Sequence, residues 1–172
     1  MILRLRGRLR HSAGRTLCDS AVRQARAEAL YAVMGAPDTI EGRFEVLTLH
    51  VILLIEALRT GGETAAATRQ ALFDAYLSDL DGALREMGVG DLSVGKRMRE
   101  LGKAFYGRAA AYRKALESLP DRTDLERLIG RTILADSPGP SPDALADYVV
   151  RCHQALHAGP DLLRSEPNWA AP

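Results

Sequence analysis

Residues 38–58 read DTIEGRFEVLTLHVILLIEAL, and the spacing of their apolar side chains decides the architecture. Ile40, Phe44, Leu47, Val51, Leu54 and Leu58 recur at three- and four-residue steps, the period of an α-helix. Leu49, Ile52, Leu53 and Ile55 fill the other faces. A helix that is apolar nearly all round offers no side to water, so it belongs at the centre of a bundle. Its richest run, Val46 to Leu58, carries His50 and Glu56 and falls short of the roughly 20 residues a membrane span needs. Asp38 followed by Glu41 has the spacing of a capping box, so Asp38 is the expected N-cap.

The same period extends to both sides. Upstream, Leu17, Ala21, Ala25, Ala29 or Leu30, and Val33 share one face, which gives one helix or two joined near Glu28, stopped by Gly35-Ala36-Pro37. Downstream of Gly61-Gly62, a helix is expected from about Thr64 to Met87 with Leu72, Tyr76, Leu80 and Leu84 in line. Another runs from about Ser93 to Leu119 on Val94, Met98, Leu101, Phe105, Ala109, Tyr112 and Leu116. Pro120 ends it, and Asp121 or Thr123 opens a shorter helix to about Ala135. The linker-like DSPGPSPD follows, and Ser141 with Pro142 starts a last helix to His157. The tail GPDLLRSEPNWAAP is expected to pin Trp169 to the body. Strand signals are nearly absent. The expected fold is all-α, a single-domain bundle of about six helices over residues 15–165, with a basic flexible arm at 1–14 and a tail at 166–172.

A chain of 172 residues can bury one substantial core. A net charge of +1 gives no field that would gather DNA, which is not an expected partner. Cys18 and Cys152 lie far apart, outside any CxxC or zinc spacing, which suits a reducing compartment. No apolar h-region follows the first arginines, so a secretory signal is not expected and the protein is expected on the cytoplasmic side.

Gly90, Gly95 and Lys96 spell G-x-x-x-x-G-K, the spacing of a phosphate loop. Such a loop needs a strand before it and a Ser or Thr after the Lys to hold Mg²⁺. Here the preceding LSDLDGALREM has a helical period, Arg97 stands at the Ser/Thr position, and Asp91 would repel phosphate. A helix-to-helix turn fits better, with Gly88 and Gly90 free to take positive φ and Asp91 or Ser93 capping the next helix.

Three separated segments then carry a resemblance. PDTIEGRFEVLTLHVILLIEAL, ALFDAYLSDLDGALREMGVGDLSVGKRM and KAFYGRAAAY are similar, in this order and spacing, to the ubiquinol–cytochrome c chaperone family of cytochrome bc1 assembly factors. The resemblance covers about residues 16–118 and weakens beyond Pro120. Ala36 stands where the family has Val, Glu45-Val46 where it has Asp-Met, and Leu80 where it has Met. A proline often found near Glu28 is missing, which favours an unbroken first helix. The resemblance implies a non-enzymatic helper of newly made cytochrome b or a bc1 assembly intermediate, working with a small co-chaperone. It supplies no catalytic residue, metal or cofactor. It marks Asp38, Arg43, Asp79, Asp81, Arg85, Glu86, Asp91, Lys96, Arg97 and Arg108 as the candidate partner-binding residues.

Other side chains admit chemical readings. His153 and His157 are four apart, a metal-capable spacing, yet the HExxH glutamate is missing and the helix dipole alone favours histidines there. His50 could ligate haem, but a lone His on an apolar helix is better read as a hydrogen-bonded core residue. Asp74, Asp81 and Glu86 at helical spacing suggest the alternative function, an all-α enzyme or binding protein acting on an isoprenoid or pyrophosphate ligand. Finally, Arg4, Arg6, Arg8 and Arg10 precede any acid and alternate with apolar residues. They form either a disordered basic tail or a contact with anionic membrane or ribosomal RNA, which would place the protein at the inner face of the cytoplasmic membrane.

Overall fold

The computed structural model describes residues 2–135, 137, 139–159 and 161–172, with side chains described from residue 13 onward, residue 92 aside. Among the described residues there are seven helices and no strand: α1 (Ile2–Ala25), α2 (Glu28–Ala32), α3 (Ile40–Ala57), α4 (Gly62–Glu86), α5 (Asp91–Glu117), α6 (Thr123–Arg131) and α7 (Asp143–Ala158). The all-α bundle is as the periodicity predicts. No described helix is long and apolar enough to cross a membrane.

α3 is the central element and packs against α1, α4, α5 and α7. Val46, Leu49, Val51, Ile52, Leu53 and Leu54 are all buried, which accounts for a helix with no polar face. α1 lies along α4, and their approach is close at Gly14, where a Cβ would stand 2.6 Å from Ala71. α4 and α5 form an antiparallel hairpin. At its base the rings of Phe73, Tyr76, Phe105 and Tyr106 stack, with Phe73 and Phe105 centroids 4.8 Å apart. α6 and α7 close the opposite side, with Arg122 bound to Asp143 at 2.7 Å.

Several local expectations are corrected. Thr39, not Asp38, caps α3: its Oγ1 accepts from the Gly42 N–H at 3.1 Å. The chain breaks between α1 and α2 without a proline, through an extended Ala27. α6 ends at Arg131 and passes into turns instead of reaching Ala135. The backbone of residues 2–14 is continuous with α1, and the side chains of Arg4, Arg6, Arg8 and Arg10 lie outside the described residues. The tail bonds to the body: the indole of Trp169 donates to Ser20 Oγ at 3.1 Å and Gln24 donates to the Ala170 carbonyl at 3.0 Å.

Candidate functional site

The hairpin beyond its aromatic base leaves the main core. Among the described side chains of residues 81–104 only Leu84 and Val94 are buried, and neither belongs to the central cluster. Its turn is built by a Schellman motif. The N–H of Val89 bonds the Leu84 carbonyl at 3.0 Å and that of Gly88 bonds the Arg85 carbonyl at 2.9 Å, with Gly88 at φ 80°. Gly90 keeps φ −63° and serves as the N-cap of α5, so only Gly88 uses the left-handed region. Asp91 makes no capping bond. Gly95 and Lys96 therefore lie within the first turns of α5, and no glycine loop is left to enclose a phosphate.

Six of the ten resemblance-marked residues gather at this tip. Arg85 donates to Asp81 at 2.6 Å and reaches across the turn to Asp91, joining the two helices. The bond to Asp81, then that to Asp91, raises its pKa above the ordinary arginine value. Glu86, Lys96 and Arg97 are exposed, and none has an ion-pair partner among the described residues. Met87, next to Glu86 in the chain, is 52% exposed.

The other four lie elsewhere, and two of them, Asp79 and Arg108, are tied into the fold. Asp79 accepts two bonds from Arg15, at 2.6 and 2.7 Å, which fastens α4 to α1. Arg108 grips Glu45 with both arms of its guanidinium and lies over the Phe44 ring at 5.9 Å, which fastens α5 to α3. Arg43 bonds Asp38 at 2.5 Å and lies over Tyr31 at 5.1 Å, at the exposed entry to α3. The marked residues thus divide into a charged tip, two interhelical ties and the exposed Asp38–Arg43 pair.

Sequence reasoning missed the partners in these ties: Arg15, Glu45 and the Glu56–Arg113 pair. Glu56 is 6% exposed and takes Arg113 Nη2 at 2.7 Å. A signal existed. Glu45 and Glu56 are acids eleven residues apart, three helical turns, on the most apolar helix, and a carboxylate there requires a cation from a neighbour. Arg108 and Arg113 supply it.

His50 is a core residue. Its Nδ1–H faces the Val46 carbonyl at 2.7 Å, so the neutral ring's Nε2 is the acceptor, and it takes the Tyr148 hydroxyl proton at 2.7 Å. Tyr148 in turn accepts from Gln24 at 2.9 Å. Burial pushes the imidazole pKa down to about 4. Both ring nitrogens are engaged, which leaves no lone pair for haem iron. His153 and His157 do stack, with centroids 4.2 Å apart, but His157 Nδ1 bonds the His153 carbonyl at 2.8 Å. Among the described residues no three metal-capable side chains come together. Asp74 bonds Gln70 and Asp81 bonds Arg85, so the carboxylates that suggested a pyrophosphate site do not converge.

Comparison with known proteins adds the family. A crystal structure of the Cbp3 homolog from Brucella abortus is 32% identical over 99% of this chain and 97% of that one, with a TM-score of 0.86. No curated protein matches the chain. The family model for the ubiquinol–cytochrome c chaperone matches residues 32–169, which begins in α2 and reaches Trp169, well past the Pro120 where the motif resemblance fades. With a family match over most of its length and a related structure of the same fold, the chain belongs to the ubiquinol–cytochrome c chaperone family.

Proposed function

We propose that this protein is a non-enzymatic holding factor that binds newly made cytochrome b, or a bc1 assembly intermediate, through the tip of the α4–α5 hairpin. The observation that carries the reading is the state of the charges there. Most arginines among the described residues are committed to intramolecular carboxylates, while Glu86, Lys96 and Arg97 have no such partner there and share the tip with the exposed Met87. An exposed apolar residue on the same tip as uncommitted charges is the chemistry of a reversible protein contact. Asp81, Arg85 and Asp91 set the geometry of the turn and are its supports. Asp38 with Arg43 offers a second exposed charged edge, where a small co-chaperone would bind.

Holding requires no bond making. The client is a membrane protein, so the work belongs at the inner face of the cytoplasmic membrane, where Arg4, Arg6, Arg8 and Arg10 would meet anionic lipid or the ribosome.

Reduced-minus-oxidised spectra of membranes from a deletion strain test this reading. The bc1-type b-haem signal should be lost without the gene, return with wild type, and stay low with Lys96→Glu/Arg97→Glu expressed at equal level. A full b-haem signal in the deletion strain would overturn the assembly role. Full rescue by the charge reversal would move the client site off the tip.

A further inference from the structure

The 23 basic residues include only three lysines, Lys96, Lys103 and Lys114, and all three stand on one face of α5. Steps of 7 and 11 residues return to nearly the same angle on an α-helix, so the three form a line about 27 Å long. Arg99, Tyr106, Gly107 and Ala110 lie within the same stripe, and every one of these residues is exposed, Tyr106 at 62%. At its C-terminal end the stripe opens into a cleft of about 230 Å³ between α5 and α6. Ala111, Ala115 and Leu128 line the cleft together with Lys114, Arg127 and Arg131. Among the described residues Asp124 is its one carboxylate, and it is bound to Arg127 at 2.6 Å.

The charges of the molecule are sorted by type. All the ion pairs among the described residues use arginine, whose planar fork suits a fixed carboxylate. Lys96, Arg99, Lys103, Lys114 and Arg131 have no such partner there. Lysine is a mobile, hydrated point charge, suited to a diffuse field of anions that has no fixed geometry. Glu100 borders the stripe, and Glu117 stands at its C-terminal end, one turn beyond Lys114. In a chain of net charge +1, a straight line of uncommitted cations is a local concentration of positive charge, not a reflection of the whole.

We propose that this face of α5, with the α5–α6 cleft, docks on a bilayer containing anionic phospholipid. The straight stripe matches a planar surface. The cleft presents cations at its rim and methyl groups on its floor, the order in which a phospholipid presents its phosphate and its glycerol–acyl body. The exposed ring of Tyr106 has the amphipathic character of residues that settle at headgroup depth. RNA would share the phosphate chemistry but would favour stacking platforms, and the stripe holds a single aromatic ring. The proposal rests on the peripheral location proposed above and assigns it to this face instead of the N-terminal arm. It does not depend on cytochrome b being the client.

Flotation of the purified full-length protein with vesicles of phosphatidylcholine, alone or mixed with phosphatidylglycerol, provides the test. Wild type should float with the mixed vesicles, remain behind with the neutral ones, and release at high salt. Each cation neutralised should lower the partition coefficient about fivefold, so Lys103→Gln/Lys114→Gln/Arg131→Gln should lose about a hundredfold. Its circular dichroism melt should match wild type, and Lys103→Gln/Arg131→Gln is the milder second variant. A variant with Arg4, Arg6, Arg8 and Arg10 changed to Gln should keep most of the binding. The proposal is overturned if the arm variant abolishes flotation while the α5–α6 variants float as wild type. It is equally overturned if anionic vesicles capture nothing at low salt, or if a ribosomal RNA fragment binds through these lysines and the vesicles do not.

Discussion

His50 accepts a hydrogen bond from the hydroxyl of Tyr148 at 2.7 Å, across 98 residues of sequence, and the bond joins the central helix α3 to α7. It gives the fold a pH dependence of definite sign. An unfolded histidine titrates near 6.5, whereas burial holds this one at about 4. Between those values the unfolded chain takes up a proton that the native chain refuses. The stabilisation is therefore complete above about pH 6.5 and is lost as pH falls toward 4, by on the order of 3 kcal/mol. Urea unfolding at a series of pH values measures it. His153, whose pKa is also lowered by burial, adds a contribution of the same sign, so the comparison is between wild type and His50→Gln. Equal pH slopes in the two proteins would contradict the assignment. Tyr148→Phe should cost about 1–3 kcal/mol at neutral pH, because it leaves a buried acceptor unpaired.

Two glycines should respond in opposite directions to alanine. Gly14 faces Ala71 so closely that a Cβ would stand 2.6 Å from it, and α1 would have to move off α4. Gly14→Ala should destabilise by about 1–3 kcal/mol, the usual range for overpacking. Gly102, inside α5, has nothing within 4 Å of the position a Cβ would take. Gly102→Ala should stabilise by about 0.5–1 kcal/mol through helix propensity alone. Thermal melts of the two variants beside wild type decide it, and a destabilised Gly102→Ala would show that this part of the hairpin is packed more tightly than its open surroundings indicate.

That contrast marks how far the sequence could be read. The all-round apolar pattern of residues 40–58 is enough to centre α3, and the glycine pairs are enough to stop the helices, because periodicity and turn chemistry are local. The split of the marked charges is not local. Asp79 and Asp81 look alike in LSDLDGALRE, yet Asp79 pairs with Arg15 of α1 while Asp81 pairs with Arg85 of its own helix. Two positions on a helix are 200° of rotation, and only the packing of α1 decides which face is covered. The cap of α3 shows a smaller failure of the same kind. Asp38 and Thr39 are both good caps, and Arg43 draws the aspartate away.

Cys18 is governed by the same cluster. Its thiol lies 3.6 Å from Asp79 Oδ2, and burial, aided by that carboxylate, pushes its pKa up to about 12. At pH 8 it is almost wholly protonated, and a protonated, buried thiol is a poor nucleophile. Iodoacetamide should leave Cys18 unmodified in the native protein and label it on unfolding in urea. Asp79→Asn removes the partner of Arg15 and should cost about 1–2 kcal/mol, with allowance for a pair that is partly exposed to solvent. Mass spectrometry of the native variant should then show Cys18 labelled ahead of Cys152. Rapid labelling of Cys18 in wild type would contradict the burial argument.

The C-terminal residues close the bundle, and the protein carries its own probe of that closure. Trp169 is the sole tryptophan. Its ring stands edge-on to His50, with centroids 5.2 Å apart, and its N–H reaches Ser20. Gln24 holds the Ala170 carbonyl, and Arg151 holds that of Ala171 at 2.7 Å. Deleting residues 167–172 removes the ring beside His50 and leaves Gln24 and Arg151 short of acceptors, so it should cost about 2–4 kcal/mol. Ser20→Ala removes one exchangeable hydrogen bond and should cost about 1 kcal/mol. In wild type the indole emission should be blue-shifted. Its red shift in urea should coincide with the loss of helical ellipticity, because the tail is bonded to α1 and α7 and packs on His50 of α3. A red shift at clearly lower urea would mean that the tail undocks on its own, and then the truncated chain should unfold at nearly the wild-type midpoint.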